Sequence, residues 1–163
     1  MTSRGGLLKP VLIAAAAALA VAGLGGLMTD LGPWYQQLVQ PPWKPPDWLF
    51  GPAWTAIFAL AAMAGVVAWR RAPRQIDREW MLALFALNGF LNVLWSLLFF
   101  RLHRPDWALI EVVLLWLSVL LLMGVLARYA RPASLLLLPY LAWVAFAGFL
   151  NLTTVRLNGP FGT

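Results

Sequence analysis

Cysteine is absent from this 163-residue chain. That excludes a disulfide framework, a thiolate nucleophile and any sulfur-ligated metal site, and it leaves the redox compartment open. Charge is scarce too: Asp, Glu, Lys and Arg make up 11% of the residues, against roughly a quarter in soluble domains. There is one histidine, His103, in a short charged loop with no serine or cysteine nucleophile in a motif around it, which argues against triad chemistry. Acidic residues number only six, and the twelve basic ones lie thinly between long uncharged runs instead of forming a patch. The net charge of +6 therefore points away from nucleic acid and is read as a membrane-topology signal.

What the chain has in abundance is apolar surface, at 62% hydrophobic residues, and tryptophan, at ten. A bilayer core of roughly 30 Å needs about 20 apolar residues per helix. Five runs meet that length: Pro10 to Met28, Pro52 to Trp69, Trp80 to Phe100, Trp107 to Ala127 and Pro132 to Val155. Only the fourth contains a charge, Glu111. Pro10, Pro52 and Pro132 sit where a missing N–H is harmless, and Asp77 and Asp106 suit helix N-termini. The pattern predicts an all-α integral membrane bundle of five transmembrane helices in a single domain, at about 8–29, 50–70, 78–101, 105–128 and 132–156. The short polar connections "RRAPRQID", "RLHRPD" and "RYARP" make consecutive helices antiparallel neighbours.

The first connection, residues 30–49, is the exception in length and chemistry. In "QPPWKPPDWLFGPAWTAIF", prolines fix φ and force extended geometry on their predecessors, so Pro41-Pro42 and Pro45-Pro46 define a stiff, aromatic loop. Eight of the twelve basic residues lie on the N-terminal side of the five spans and four on the loop side, which orients the N-terminus to the cytoplasm. The first run also admits a signal-peptide reading, with Ala20-Val21-Ala22 as cleavage site, but it continues to Met28, longer than a usual signal core. Small residues at Ala14, Ala18, Ala22 and Gly26 allow another backbone to approach it closely.

Two stripes mix polar and aromatic groups. Asn88, Asn92, Trp95 and Phe99 fall within about 60° on the third helix, and Tyr140, Trp143, Ala147 and Asn151 within about 80° on the fifth. Trp54, Phe58, Ala61 and Gly65 form a third on the second helix. Amides at membrane depth must be satisfied, so the asparagines face the bundle interior. Asn88 reads better as a link between helices than as a ligand contact. Trp69, Trp80 and Trp107, at helix ends, read as interfacial belt residues. Glu111, a carboxylate inside a span, is a functional candidate, though one turn from the helix start it is also within reach of the interface or of a loop arginine such as Arg101 or Arg104. Ala83, Ala86 and Gly89 suit close packing either between subunits or within the bundle.

The segments "WYQQLVQPPWKPPDWLFGPAWT", "NVLWSLLFF" and "PYLAWVAFAGFLN" closely resemble the tryptophan-rich sensory proteins, also called translocator proteins or peripheral-type benzodiazepine receptors. The resemblance covers roughly residues 5 to 157. It implies a five-helix membrane protein, commonly a homodimer, whose first loop closes a pocket for porphyrins and isoquinoline carboxamides, with porphyrin as ligand and no required cofactor. Carried over by motif, that pocket takes Tyr35, Trp54, Phe58, Asn92, Trp95, Phe99, Trp143, Ala147 and Asn151. Trp107 and Glu111 match fourth-helix positions where the family has an acidic residue. The resemblance also implies a second reading, light-dependent porphyrin breakdown with Trp54 and Trp143 as the photochemical candidates, and a third, transport. In "LNLTTVR", Leu152 stands where the animal members' cholesterol motif has tyrosine, so sterol binding through that motif is unsupported.

Overall fold

A computed structural model describes residues 5–162. It is all-helical, with no strand among the described residues, and five of its helical segments are long and apolar enough to cross a membrane. The order is α1 (Gly5–Met28), α2 (Pro33–Gln37), a 3-10 turn (Asp47–Leu49), α3 (Phe50–Arg71), α4 (Gln75–Ser96) extended by a π turn (Leu97–Arg101), α5 (Pro105–Ala127), α6 (Arg131–Leu135) and α7 (Leu138–Asn158).

Three features depart from the sequence expectations. Pro10 lies inside α1 and does not start it, because the helix begins at Gly5. The fifth span is two helices, since Pro139 offers no N–H to the carbonyl of Leu135 and its ring crowds that carbonyl. The chain turns there, with Leu137 N–H bonding to the Ser134 carbonyl at 3.1 Å. The third span ends in the π turn, where Leu102 N–H reaches back five residues to the Leu97 carbonyl at 3.0 Å. His103 then adopts a left-handed conformation (φ 53°) and reverses the chain into α5. Pro105 and Asp106 open α5, the one needing no N–H partner and the other placing negative charge at the helix's positive end.

α5 is the centre of the bundle, packed between α4 and α7, with α6 near its end. α1 leans on α3 and α4. A dense core fills the half of the bundle away from the long loop. Ala64 and Ala68 of α3, Val119, Leu122 and Leu126 of α5, and Ala133 and Leu137 are all fully buried there. Alanine on α3 lets the α5 leucines approach closely, the packing logic of membrane helices. α1 is the loosest element, burying little of its span inside the protein. Its inward positions Ala14, Ala18, Val21, Gly25 and Met28 recur at alternating spacings of four and three, so one narrow seam faces the bundle and the rest faces lipid. Gly89 of α4 supports that seam, since a Cβ there would come within 2.7 Å of Val21 Cγ2. Of the three small residues on this helix, Gly89 packs within the bundle, whereas Ala83 and Ala86 are exposed.

Candidate functional site

The half of the bundle next to the loop is hollow. A cavity of about 460 Å³ lies between the C-terminal ends of α1, α4 and α7 and the N-terminal end of α3, with the loop over it. All nine residues singled out from the sequence line it: Tyr35, Trp54, Phe58, Asn92, Trp95, Phe99, Trp143, Ala147 and Asn151.

The aromatic rings form two groups on facing sides of the cavity. Trp54 stacks on Phe58 (centroids 5.2 Å, planes 25° apart) and meets Trp143 edge to face at 6.5 Å and 88°. Trp95 stacks on Phe99 at 5.2 Å on the opposite side. Phe50, at 5.6 Å from Trp143, extends the first group. Stacked and edge contacts of this kind are the arrangements that ring quadrupoles favour. The Trp143 Nε1–H is buried with no acceptor.

Behind these rings runs a polar chain that ties three helices. Asn92 Nδ2 donates to the Tyr140 hydroxyl (3.4 Å), which donates to Asn88 Oδ1 (2.9 Å), and Asn88 Nδ2 donates to Ser118 Oγ (2.8 Å). The Ser118 hydroxyl ends the chain on the Leu115 carbonyl at 2.7 Å. Asn88 is thus a structural link, as its position allowed. Asn151, only 1% exposed, also spends its amide on the fold. In the orientation that satisfies both atoms, its nitrogen donates to the Pro105 carbonyl (3.0 Å) and its oxygen accepts from Leu109 N–H (3.1 Å). It lines the cavity without offering it a free polar group; the other amides in the lining are Asn92 and Gln40.

Glu111 differs from its sequence expectation. It is 5% exposed, neither oxygen has a hydrogen-bond partner, and no basic side chain pairs with it among the described residues. Arg104 instead pairs with Asp106 and lies over the Trp107 ring at 4.0 Å, while Arg101 turns to the Leu27 carbonyl (2.6 Å) and to Asp30.

The loop is fastened at several points. Trp34 stacks on His103 at 4.2 Å, and Trp43 stacks on Phe149 at 5.2 Å. The Asn158 amide pairs with the Val39 peptide in both directions, accepting from its N–H (2.7 Å) and donating to its carbonyl (3.0 Å). Trp34, Tyr35 and Leu38 pack on Phe99 and Phe100. At the rim, the Tyr35 hydroxyl donates to Asp47 Oδ1 (2.8 Å) and accepts from Lys44 Nζ (2.7 Å), and Lys44 is also paired with Asp47. Burial raises the Tyr35 pKa, with the Lys44 hydrogen bond opposing. For Lys44, burial pulls the pKa down but the bonds to Asp47 and Tyr35 outweigh it, so the net shift is upward.

Residues 12–157 match the profile of the TspO/MBR family. The chain belongs to that family. The tryptophan-rich protein TspO of Chlorobaculum tepidum is 44% identical over 130 residues, covering 77% of this chain and 79% of that protein. The TspO protein of Archaeoglobus fulgidus is 38% identical over 144 residues (87% and 92%), and the translocator protein of Bos taurus 34% over 120 residues (72% and 70%). Membership in the TspO/MBR family and the five apolar spans make this an integral, multi-pass membrane protein.

Sequence reasoning missed several residues around the cavity. Phe100 escapes because a 3.6-residue period puts it about 100° from Phe99, and only the π turn lets both consecutive rings be buried. Val21, Ala22, Gly25 and Gly26 of α1 line it through a seam already visible as small residues, but nothing in their spacing said what they faced. Phe50 and Asp47 were hidden in the loop's approach to α3.

Proposed function

We propose that this protein is a membrane receptor or sensor that binds porphyrins, and drug-like isoquinoline carboxamides, in the aromatic cavity beneath the first loop. The observation that carries the reading is the cavity itself. About 460 Å³ enclosed by Trp54, Phe58, Trp95, Phe99 and Trp143 lies within the range of roughly 300–1,000 Å³ typical of small-molecule sites. A flat apolar macrocycle finds ring faces on two sides, each contact contributing about 0.5–1.5 kcal/mol beyond burial. A loop already fastened by Trp34, Trp43 and Asn158 needs no ordering on binding, which removes an entropic cost a flexible cover would carry. Protoporphyrin IX should quench tryptophan fluorescence saturably, and the Trp54→Phe, Trp143→Phe double variant should bind at least tenfold more weakly. Unchanged affinity in that variant would remove the site.

That Trp54 and Trp143 both line the cavity also leaves room for a second reading, light-dependent breakdown of bound porphyrin by these indoles. Illuminated and dark samples would then differ in porphyrin spectrum, and the Trp-to-Phe changes would abolish the difference. The basic-residue asymmetry supports an N-terminus in the cytoplasm and a loop on the opposite face. Labelling of cysteines introduced singly at Gln37 and Gln75 in sealed vesicles reports that orientation.

A further inference from the structure

The loop's one basic residue, Lys44, is held beside Tyr35 and Asp47, two residues that line the cavity. Pro45 and Pro46 fix the chain that leaves it, and its ammonium sits 4.9 Å from the centroid of the Tyr35 ring. Ammonium and phenol converge on a single atom, Asp47 Oδ1, so a carboxylate oxygen is gripped by two donors from different parts of the loop. Burial of the partners is unequal: the Lys44 side chain is 11% exposed, the Asp47 side chain 45%. The donors are therefore the fixed part and the carboxylate the exchangeable one. Tyr35 and Asp47 both line the cavity, whose lining contains no lysine or arginine.

We propose that Lys44 and Tyr35 form a carboxylate site at the cavity rim, held by Asp47 and taken over by an acidic group on the edge of a flat apolar ligand. The chemical class is an amphiphile with an aromatic or macrocyclic body and a carboxylate at one margin. The inference rests on the reading that the cavity takes porphyrins and adds to it what this particular chain selects among them. Exchange is feasible because the donor pair already accepts a carboxylate in this geometry. Asp47, once released, remains half in solvent at the approach to α3, where negative charge is tolerated. The incoming group keeps the charge-assisted bonds that Asp47 gives up, while its apolar body fills the cavity below.

The test compares protoporphyrin IX with its dimethyl ester, which keeps the macrocycle and loses both charges. Equilibrium titrations by fluorescence in neutral detergent use the native chain, Lys44→Met, Lys44→Arg and Asp47→Asn. The readout is the ratio of acid to ester affinity, in which a general loosening of the loop cancels. The native chain is expected to prefer the acid by about tenfold. Lys44→Met brings the ratio to about one, Lys44→Arg keeps it, and Asp47→Asn raises it by removing the competing carboxylate. A ratio near one in the native chain, or one that survives Lys44→Met, overturns the rim site while porphyrin binding stands. Binding of neither compound overturns the porphyrin reading along with it.

Discussion

Replacing Tyr140 by phenylalanine removes one oxygen from the middle of the chain Asn92–Tyr140–Asn88–Ser118 and leaves the ring, 2% exposed, in place. Two partners lose a bond, unequally. Asn88 Oδ1 loses its donor at 2.9 Å on a residue only 5% exposed and among largely apolar neighbours, where a stranded acceptor costs about 1–3 kcal/mol. Asn92 Nδ2 loses a 3.4 Å contact near the limit of hydrogen bonding, and because Asn92 lines the cavity, water reaches it. Polar bonds between membrane helices average only about 0.6 kcal/mol, because the separated helices find other partners in the membrane. The balance of these figures is a loss of about 1–2 kcal/mol, nearly all through Asn88. The assay is reversible unfolding in mixed micelles followed by circular dichroism, for Tyr140→Phe, Asn88→Ala and the double variant. If the chain acts as a unit, the double variant costs little more than Asn88→Ala alone. Full additivity, or a Tyr140→Phe loss below about 0.3 kcal/mol, would refute the claim that this chain joins α4, α5 and α7.

Glu111→Leu should stabilise the protein by about 1–3 kcal/mol in the same assay, since it removes two buried, unpartnered oxygens. A loss of stability would mean the carboxyl has a partner. Asn158→Ala should leave the melting of the bundle nearly unchanged but make the loop cleavable by chymotrypsin after Leu38 or Trp43, because it cuts both bonds to Val39. Because the Lys44 pKa is raised on folding, the contribution of its pairing is complete below the unfolded value of about 10.4 and fades as pH rises through the higher folded value. Loop proteolysis should accordingly stay flat from pH 7 to 10 and increase above that range. An increase between pH 7 and 9 would assign the loop's closure to other groups.

The five spans were legible because hydropathy and length are properties of composition alone, and bilayer thickness sets a single scale. The cavity residues were legible for a narrower reason. Asn92, Trp95 and Phe99 share a face by simple helical periodicity, and the family motif joined that face to Trp54 and Trp143. Features that depend on broken periodicity were not. The π turn that turns Phe100 inward requires knowing how the chain packs beyond its helix, whereas the break between α6 and α7 had a local signal, Pro139 inside the fifth run, that apolar length alone does not register. Pairings across sequence, such as Asn158 with Val39 or Asn151 with the first turn of α5, join residues with no shared local pattern. Glu111 shows the opposite failure. Arginines lay near it in sequence, yet α5 turns it inward while Arg101 and Arg104 find nearer partners.

The size of the cavity constrains how the bundle is built around it. At about 24 cal/mol per Å³, a sealed apolar void of 460 Å³ would cost about 11 kcal/mol, as much as the entire stability of an ordinary domain. A protein cannot hold such a space closed and dry, so it must be wet at the rim or filled through a wall that gives. α1 is the wall best suited to it: it buries little of its span, and what it contributes to the cavity, Val21, Ala22, Gly25 and Gly26, is small. Small residues contribute few dispersion contacts, so moving α1 outward costs less than moving any helix that carries the tryptophans. The rigid half of the site, α3, α4 and α7 under a fastened loop, can therefore hold its aromatic geometry while α1 adjusts to the thickness of what lies between them.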